Sequence, residues 1–324
     1  MRFRAESPVT AELCDDASRL APTNPMLTWP YVQAMSATGY RASMIGLSDG
    51  DRWMAAAVVF LRVGKLQRTL ELVSLPRLPE PEVFWSGLVH YCRRQGVSQL
   101  SIGTFSSPEA LIPPLPGEKS RTKRSEFVID LPGVDLMAQM KKTHRYCVRQ
   151  GENAGLRLRR TRDSAHCAEH LQVNQASMER RAKRGEQVES AGDAFPRAAL
   201  ASGAAEMFQA LRGDQVLSSS VVVRAPRGAY LHSSGSDPEG MKIGASHFLN
   251  FQIAKTLQTE NCDIYNLGGA NSQERGLWDY KTHFGTRRID LEAVECDLGP
   301  RWRQKLSTLI SFLRRPRDPV LRRP

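Results

Sequence analysis

Long apolar runs are missing from this sequence of 324 residues. The longest, Met54–Leu61, has the length of a strand, whereas a membrane-spanning helix needs about 18 or more consecutive apolar residues. The N-terminal segment also lacks an apolar stretch long enough for a secretory signal. The sequence therefore predicts a cytoplasmic protein without a transmembrane helix.

Several motifs that would define a chemistry are also absent. The six cysteines are scattered and include no CxxC pair, so neither a disulfide framework nor a zinc ribbon is indicated, which fits a reducing compartment. The Gly268-Gly269 pair lacks the GxGxxG spacing of a Rossmann domain. His166 and His170 are one helical turn apart, but without HExxH or a nearby carboxylate pair this spacing predicts surface residues. No metal site is expected.

Positive charge is unevenly distributed. The net charge is +11, of which the last 24 residues carry +7, so the first 300 residues are only mildly basic. No RNA-binding module is visible. Residues 301–324 predict a basic amphipathic helix followed by a disordered tail. Its apolar stripe either packs on the body of the protein or lies on an anionic membrane surface.

The predicted elements occur in the same order in both halves of the chain, which suggests an internal duplication. For the first half we predict a helix at Asn24–Thr38, strands at Arg41–Leu47, Trp53–Val63 and Leu66–Val73, a helix at Val83–Arg94 and a strand at Ser98–Thr104. A polar, proline-containing segment over residues 106–125 is interpreted as a loop between layers or domains.

The second half repeats this order with more elements. We predict strands at Glu126–Leu131, Leu156–Arg160, Val216–Arg224, Ala229–Ser234, Cys262–Leu267 and Arg288–Val294, and helices at Asp135–Glu152, Ser164–Arg184, Phe195–Leu211 and Ala245–Thr259. The fold class is therefore α+β, with two similar domains in tandem, each a mixed and mostly antiparallel sheet flanked by helices. The predicted boundaries are residues 1–125, 126–300 and 301–324.

Four segments of the second half resemble a known family. They are MKKTHRYCVRQGENAG (140–155), AYLHSSGSD (229–237), SHFLNFQIAKTLQTENCDIYNLGGAN (246–271) and GLWDYKTHFG (276–285). Together they resemble the FemABX-like branch of the GNAT acyltransferase superfamily. The resemblance implies two GNAT-like domains and transfer of an acyl or aminoacyl group to an amine. Some members use aminoacyl-tRNA and act on peptidoglycan precursors.

The segment Tyr280-Lys281-Thr282-His283-Phe284-Gly285 matches the aromatic-Lys-x-x-Phe-Gly pattern of the family. The resemblance implies that Lys281 stabilises the negative charge of the reaction, with Tyr280 and Phe284 shaping its pocket. The residues alone leave a second interpretation open, in which Lys281 is exposed at the entry of a strand and its aromatic neighbours are core. His283 alternates with Lys281, so it is either a base or a surface histidine.

The segment 140–155 is rich in cations. Arg145 and Arg149 are four residues apart and share a predicted helix face with Lys141, while Tyr146 adds a ring that can stack or donate a hydrogen bond. Such a face either binds an anionic group of a substrate or is a solvated amphipathic surface. The resemblance implies that Arg145 lies near the acceptor.

GNAT domains usually hold the CoA pyrophosphate at a helix start with the pattern Arg/Gln-x-x-Gly-x-Gly/Ala. The equivalent positions here are Glu239-Gly240-Met241-Lys242-Ile243-Gly244-Ala245, where Glu239 and Lys242 depart from the pattern. Lys242, Gly244 and Ala245 remain candidates for binding a phosphate. We also predict that Ser233, Ser234 and Ser236 line the acceptor channel and that Ser234, Ser236 and Asn271 contact the substrate; no GxSxG elbow surrounds these serines.

Three functions are consistent with these observations. The first is an acyltransferase that uses acyl-CoA or a similar donor as co-substrate, with no tightly bound cofactor, and an amine acceptor. The second is an aminoacyl-tRNA-dependent enzyme acting on a peptidoglycan precursor. The third is a GNAT-fold scaffold without turnover in envelope or exopolysaccharide assembly. Expected partners are a small amine or an envelope precursor, an acyl-carrier protein or charged tRNA, and a membrane surface contacted through residues 301–324.

Overall fold

The computed structural model describes residues 1–65, 67–108, 112–185, 192–270 and 273–299. The predicted C-terminal helix lies outside these ranges. The strands, numbered along the chain, are β1 Arg2–Glu6, β2 Arg41–Asp49, β3 Arg52–Val63, β4 Arg68–Leu72, β5 Gln99–Ile102, β6 Glu118–Asp130, β7 Arg157–Thr161, β8 Ala205–Arg212, β9 Gln215–Arg224, β10 Gly228–Ser236, β11 Ile264–Ala270 and β12 Arg287–Asp297.

The α-helices range from the four residues of α4 to the 17 residues of α6. They are α1 Ala11–Leu20, α2 Trp29–Ala37, α3 Pro81–Arg94, α4 Leu136–Gln139, α5 Lys142–Asn153, α6 Cys167–Lys183, α7 Ala194–Ala201, α8 Pro238–Lys242, α9 Ala245–Thr259 and α10 Arg275–Thr282. Short 3₁₀ turns occupy Pro25–Leu27 and Ser164–His166. Among the helices in the described ranges, none combines the length and the apolar character required to cross a bilayer.

The twelve strands form one continuous sheet in the order β1-β2-β3-β4-β5-β12-β6-β11-β10-β9-β8-β7. Neighbouring strands are antiparallel except at two places, where β4 lies parallel to β5 and β10 lies parallel to β11. Each parallel pair is joined through a helix, α3 in the first half and α9 in the second. The predicted α+β class with a mixed, mostly antiparallel sheet is confirmed.

Strands β6 and β12 join the two halves of the sheet. The end of β12 pairs with β5, its whole length pairs with β6, and β6 pairs in turn with β11. The predicted loop over residues 106–125 is therefore wrong from Glu118 onward. The sequence does not indicate this strand because the segment is rich in charged residues. In the structure many of these charges are paired with neighbours, as in the Arg121–Glu292 ion pair. The boundary at residue 125 falls inside β6, and the division into domains stays a prediction.

Two predicted helices also differ from the structure. The helix predicted over Asp135–Glu152 is two helices, α4 and α5, because Met140 and Lys141 are extended. The helix predicted over Phe195–Leu211 ends at Ala201, and its second part is the strand β8. Nearly all of β8 is buried on both faces, so its sequence lacks the alternation by which a half-buried strand is recognised.

Helices cover both faces of the second half of the sheet. One core packs α5 and α9 on the face that includes Phe208 and Val222, and the side chains of α10 join it. A second core packs α1, α2, α7 and the start of α6 on the opposite face, which includes Met207 and Val221. The first half has a further core beneath α3. At the junction between β10 and β11, helices therefore lie on both faces of the sheet.

Candidate active site

A cavity opens where β10 and β11 separate. The two strands pair over three residue pairs, from Gly228–Ile264 to Tyr230–Asn266. Beyond these pairs β10 stays with β9, and β11 stays with β6. The gap is occupied by a cavity of about 550 Å³, lined by α6 from one face of the sheet and by α9 and α10 from the other. Helices from both faces of the sheet therefore contribute residues to the cavity wall.

Backbone irregularities shape both walls of the opening. The register of β10 shifts between Leu231 and Ser233, and that of β11 shifts between Asn266 and Gly269. Gly268 has φ +72°, which disfavours any residue with a side chain, and its N–H donates to the Asn266 Oδ1 at 2.8 Å. This bulge turns the carbonyl of Gly269 toward α10.

Lys281 reaches into this cavity from the last turn of α10. Its side chain is only 7% exposed, and its Nζ donates a hydrogen bond to the Gly269 carbonyl at 2.6 Å. Burial lowers the pKa of Lys281 to about 7, although the carboxylates of Glu126 and Glu274 act in the opposite direction. The structure thus places a buried amine, poised between its two protonation states at neutral pH, inside a cleft. The proposed catalytic role of Lys281 stays a prediction.

A buried carboxylate stabilises the strands around the opening. Glu126 of β6 has no exposed surface and accepts hydrogen bonds from the Arg124 guanidinium (2.7 Å), the Tyr230 hydroxyl (3.1 Å), the Asn266 amide (2.7 Å) and the Ser106 N–H (3.0 Å). Because these donors come from β6, β10, β11 and the segment after β5, one carboxylate connects all the strands around the cavity.

Positive charge dominates the cavity wall. The lining includes Arg124, Arg180, Arg181, Arg184 and Lys281, and none of the described lining residues is an Asp or a Glu. Arg124 and Arg181 are paired with Glu126 and Glu274, which lie behind the lining and reduce its net charge. A concave site with an excess of one sign of charge attracts substrates of the opposite sign. The arrangement therefore suits a substrate that carries a carboxylate or a phosphate.

The predicted serines belong to the cavity wall. Ser234 and Ser236 of β10 line it, and their hydroxyls lie 3.0 Å and 2.7 Å from those of Ser220 and Ser218 on β9. Asn271, the third residue predicted to contact the acceptor, lies outside the described residues. Contact of the two serines with a substrate stays a prediction.

The aromatic neighbours of Lys281 are divided between the cavity and the core. Tyr280 lines the cavity, where its hydroxyl donates to the Ser246 carbonyl at 3.1 Å and accepts from the Asn250 amide at 2.8 Å. Phe284 is buried behind Tyr280, with ring centroids 5.1 Å apart, and does not line the cavity. Tyr280 therefore shapes the pocket directly, and Phe284 supports it.

His283 is not placed to act with Lys281. The alternation expected from a strand is wrong because residues 275–282 are helical, and positions two apart on a helix point in nearly opposite directions. The ring of His283 packs against His144, 5.3 Å away, and lies outside the lining of the cavity. A role for His283 as the base stays a prediction, which its position outside this cavity does not support.

The cationic face predicted over residues 140–155 is also separate from the cavity. Lys141 precedes α5 as an extended residue, so it does not share the helix face with Arg145 and Arg149. Arg145 donates to the Met140 carbonyl at 2.7 Å, and Tyr146 is 67% exposed. None of the four lines the cavity that contains Lys281. Anion binding by this surface stays a prediction, but its placement beside the acceptor is not supported.

Two buried residues near the cavity were missed or misassigned from sequence. Glu126 directly precedes the apolar run Phe127–Ile129, and a carboxylate in a buried strand is a detectable signal. His170 was predicted at the surface but is only 2% exposed. It repeats at helical spacing with the buried Val173 and Ser177 of α6, which identifies the inward face.

A larger cavity of about 1060 Å³ lies between the two halves and includes Trp85 and Trp278. It does not contain Lys281, and its lining includes paired charges such as Arg121 with Glu292. Arg124 lines both cavities. The buried lysine identifies the smaller cavity as the candidate active site.

Residues 138–282 match the family model described as an acetyltransferase (GNAT) domain. This segment is therefore similar to a GNAT domain. The chain also has the fold of several solved structures. Over 95% of this chain and 99% of the other, it superposes on FemX with a TM-score of 0.67 and 12% identity. A tandem GNAT protein from the clavulanic acid biosynthesis pathway superposes with a TM-score of 0.54 and 11% identity, over 92% of this chain and 99% of the other.

A third neighbour is the C-terminal domain of a putative lysylphosphatidylglycerol synthetase from Agrobacterium fabrum, with a TM-score of 0.55, 12% identity and coverage of 93% and 97%. No curated protein sequence matches the chain significantly. The predicted resemblance to FemAB-like members of the GNAT superfamily is confirmed by the family model together with the tandem GNAT fold.

GNAT domains generally use acyl-CoA, and the loop that would hold its pyrophosphate is tightly packed here. Gly244, with φ +73°, packs so closely on α5 that an added Cβ would overlap the Cys147 carbonyl. Ala245, the first residue of α9, is fully buried. Asp237 already occupies the N–H of Gly240 at 2.5 Å. Phosphate binding by Gly244 and Ala245 stays a prediction, because α5 packs against Gly244 while the next residue of α9, Ser246, lines the cavity.

Lys242 is the remaining member of the predicted phosphate loop. It ends α8 and is exposed, and its carbonyl accepts a hydrogen bond from the Gln150 amide at 3.0 Å. It does not line the cavity that contains Lys281. Contact between Lys242 and a donor stays a prediction about the surface outside the cavity.

Proposed function

We propose that the cavity between β10 and β11 is the active site of an acyltransferase that joins an acyl or aminoacyl group to an amine. The observation that carries this proposal is the position of Lys281, whose buried Nζ lies in a cleft at the point where the strands of the GNAT domain separate. The GNAT family model supports the transferase class.

The reaction makes one bond and breaks one bond. The amine nitrogen attacks the carbonyl carbon of an activated ester or thioester, and the carbonyl electron pair moves onto oxygen. Collapse of this tetrahedral oxyanion breaks the bond to the leaving oxygen or sulfur, which ends with the proton lost by the amine. The ammonium of Lys281 stabilises the oxyanion, and its field is stronger in this water-poor cavity than in bulk solvent.

The cavity wall supports an acceptor that carries negative charge. Four arginines accompany Lys281 in the lining, and none of the described lining residues is acidic. Arg124 is held in place by Glu126 and stacks on the ring of Phe105, with 4.2 Å between its Cζ and the ring centroid. An amine that also bears a carboxylate or a phosphate would be oriented by such fixed guanidinium groups.

The start of α9 bears on the identity of the donor. Because Glu239 and Lys242 depart from the usual GNAT pattern and Gly244 packs closely on α5, a donor that depends on a pyrophosphate bound there is disfavoured. This favours a second candidate, in which the donor is aminoacyl-tRNA and the acceptor is an anionic envelope precursor. An acyl-carrier protein would satisfy the same constraint, and the cytoplasmic location predicted from the sequence is compatible with each donor.

The test is a transfer assay with acetyl-CoA, an acetylated acyl-carrier protein and alanyl-tRNA as donors and a pool of amines as acceptors, with products detected by mass spectrometry. We expect the Lys281→Met variant to lose about 10²–10³-fold in rate, as when one oxyanion donor is removed. Lys255→Met, an exposed lysine on α9, is the matched control and should keep full activity.

Two results would contradict the proposal. Full activity of Lys281→Met would remove the lysine from the mechanism. Absence of any product, with all three donors and the whole amine pool, would favour a non-catalytic scaffold.

A further inference from the structure

A buried histidine is connected to the candidate active site through a single hydroxyl. His170 of α6 lies between two serines, with its Nδ1 2.9 Å from the Ser219 Oγ and its Nε2 2.9 Å from the Ser233 Oγ. Ser219 is fully buried, whereas Ser233 lines the cavity that contains Lys281. The mechanism described above uses neither His170 nor Ser233.

The hydrogen bonds of His170 allow one arrangement in which it can receive a proton. A neutral imidazole has one N–H donor and one acceptor nitrogen. If Nδ1 carries the hydrogen and donates to Ser219, then Nε2 accepts the hydroxyl hydrogen of Ser233. Burial, and to a lesser extent His232, lowers the pKa of His170 to about 4, so the ring is neutral at physiological pH.

The surroundings hold His170 in this position. Helix α6 packs on β10 through polar contacts, in which the Asn174 amide donates to the Ser234 carbonyl at 3.1 Å and the Ser177 hydroxyl donates to the Ser236 carbonyl at 3.1 Å. Within the described residues, no second side chain accepts from or donates to the Ser233 hydroxyl. Its lone pairs are therefore available to a group in the cavity.

We propose, on the basis of the function proposed above, that Ser233 and His170 relay the proton of the acceptor amine. As the amine nitrogen bonds to the carbonyl carbon, its proton moves to the Ser233 Oγ, and the hydroxyl proton of Ser233 moves to the His170 Nε2. When the intermediate collapses, the proton returns by the same route to the leaving oxygen or sulfur. Ser233 and His170 end the cycle unchanged.

The relay and the lysine approach the cavity from opposite faces of the sheet. His170 lies on α6, beside the core that includes Val221, whereas Lys281 lies on α10, beside the core that includes Val222. The transient imidazolium and the ammonium thus form on opposite faces of the sheet. Like charges within a few ångströms would disfavour each other, and this separation limits that cost.

The tautomer of His170 tests the relay without any substrate. Nitrogen NMR of the histidine rings in the full chain reports which nitrogen carries the hydrogen. The signals of His170 are assigned as those that disappear in the His170→Gln variant. We expect a neutral ring with hydrogen on Nδ1 from pH 8 to pH 5, and we expect Ser233→Ala to shift the Nε2 signal. A hydrogen on Nε2, or a charged ring at pH 7, would overturn the proposal because Ser233 would have no acceptor.

The transfer assay described above tests the consequence of the relay. We expect Ser233→Ala and His170→Gln to lower kcat about 100-fold, at the lower end of general acid–base effects, while KM stays nearly constant. The control is His166→Gln, a half-buried histidine on the preceding turn that pairs with Glu169. General packing damage would not confine the loss to kcat.

The two proposals fail in different ways. An active wild type whose Ser233→Ala variant keeps its kcat overturns the relay and leaves the acyltransferase assignment intact. A wild type without product from any donor overturns the proposed function and, with it, the relay that depends on it.

Discussion

The two parallel strand pairs of this protein have similar connections but different geometry. Strands β4 and β5 pair over their whole shared length, from Thr69–Gln99 to Leu72–Ile102. Their hydrogen bonding then continues, with the Gly103 N–H donating to the Leu72 carbonyl at 2.9 Å. Strands β10 and β11 separate after three residue pairs, and the cavity lies in the gap. A parallel crossover alone therefore does not produce a site.

The side chains at the two junctions differ in the same sense. Leu70, Leu72, Leu100 and Ile102 at the first junction are fully buried in the core beneath α3. The second junction has a serine-rich strand, a glycine bulge and a buried lysine. The first half of the sheet thus provides support through apolar packing, and the second half provides polar groups for chemistry. The predictions below test this difference, beginning with the largest effect.

Replacing a carboxylate should lower the free energy of unfolding much more at the second junction than at the first. Glu126→Gln leaves the guanidinium of Arg124 beside the cavity without its charged partner, and breaking a buried pair costs about 3–5 kcal/mol. Glu71 of β4 is only half-buried and accepts one hydrogen bond from Tyr40 at 2.7 Å, so Glu71→Gln should cost about 1 kcal/mol. Urea unfolding of both variants measures the free energies of unfolding. Equal losses would contradict the contrast between the junctions.

The ionisation of Lys281 should appear in the pH dependence of transfer. Because burial lowers its pKa to about 7, the active ammonium form is present below pH 7 and is lost as the pH rises above it. The rate should therefore fall about tenfold for each pH unit above 7. At lower pH the rate should also fall, because the acceptor amine becomes protonated. In Lys281→Arg the cation persists, so the alkaline limb should move to higher pH.

Two outcomes of this pH measurement would count against the lysine. A wild-type rate that still rises toward pH 9 would mean that the neutral amine is the active form. An alkaline limb that is unchanged in Lys281→Arg would belong to another group. The central residues of the junction between β4 and β5 are leucines and an isoleucine, so no ionisation there should affect the pH dependence of the rate.

The sequence predicted the fold class and named Lys281, which the structure buries in the candidate site, but it did not predict the environment of that residue. Lys281 was identified from a local pattern, the resemblance of residues 276–285 to a family segment. Glu126, Asn266 and His170 act through contacts between strands and helices far apart in the chain, and a local pattern carries no information on such contacts. The same limit explains why His283 was misplaced: its alternation with Lys281 resembled a strand, and only tertiary packing shows the helix.

The last prediction concerns the bulge that opens the second junction. Gly268 and Gly213 both have positive φ, +72° and +59°, so Gly268→Ala and Gly213→Ala should each cost about 1–2 kcal/mol of stability from backbone strain. Gly213 lies in the turn between β8 and β9, where an added Cβ meets nothing within 4 Å. Only Gly268 adjoins the carbonyl that accepts from the Nζ of Lys281. If the bulge positions this amine, Gly268→Ala should also lower kcat and shift the alkaline limb, whereas Gly213→Ala should lower only the melting temperature. Identical kinetics in the two variants would mean that the opening does not depend on the bulge.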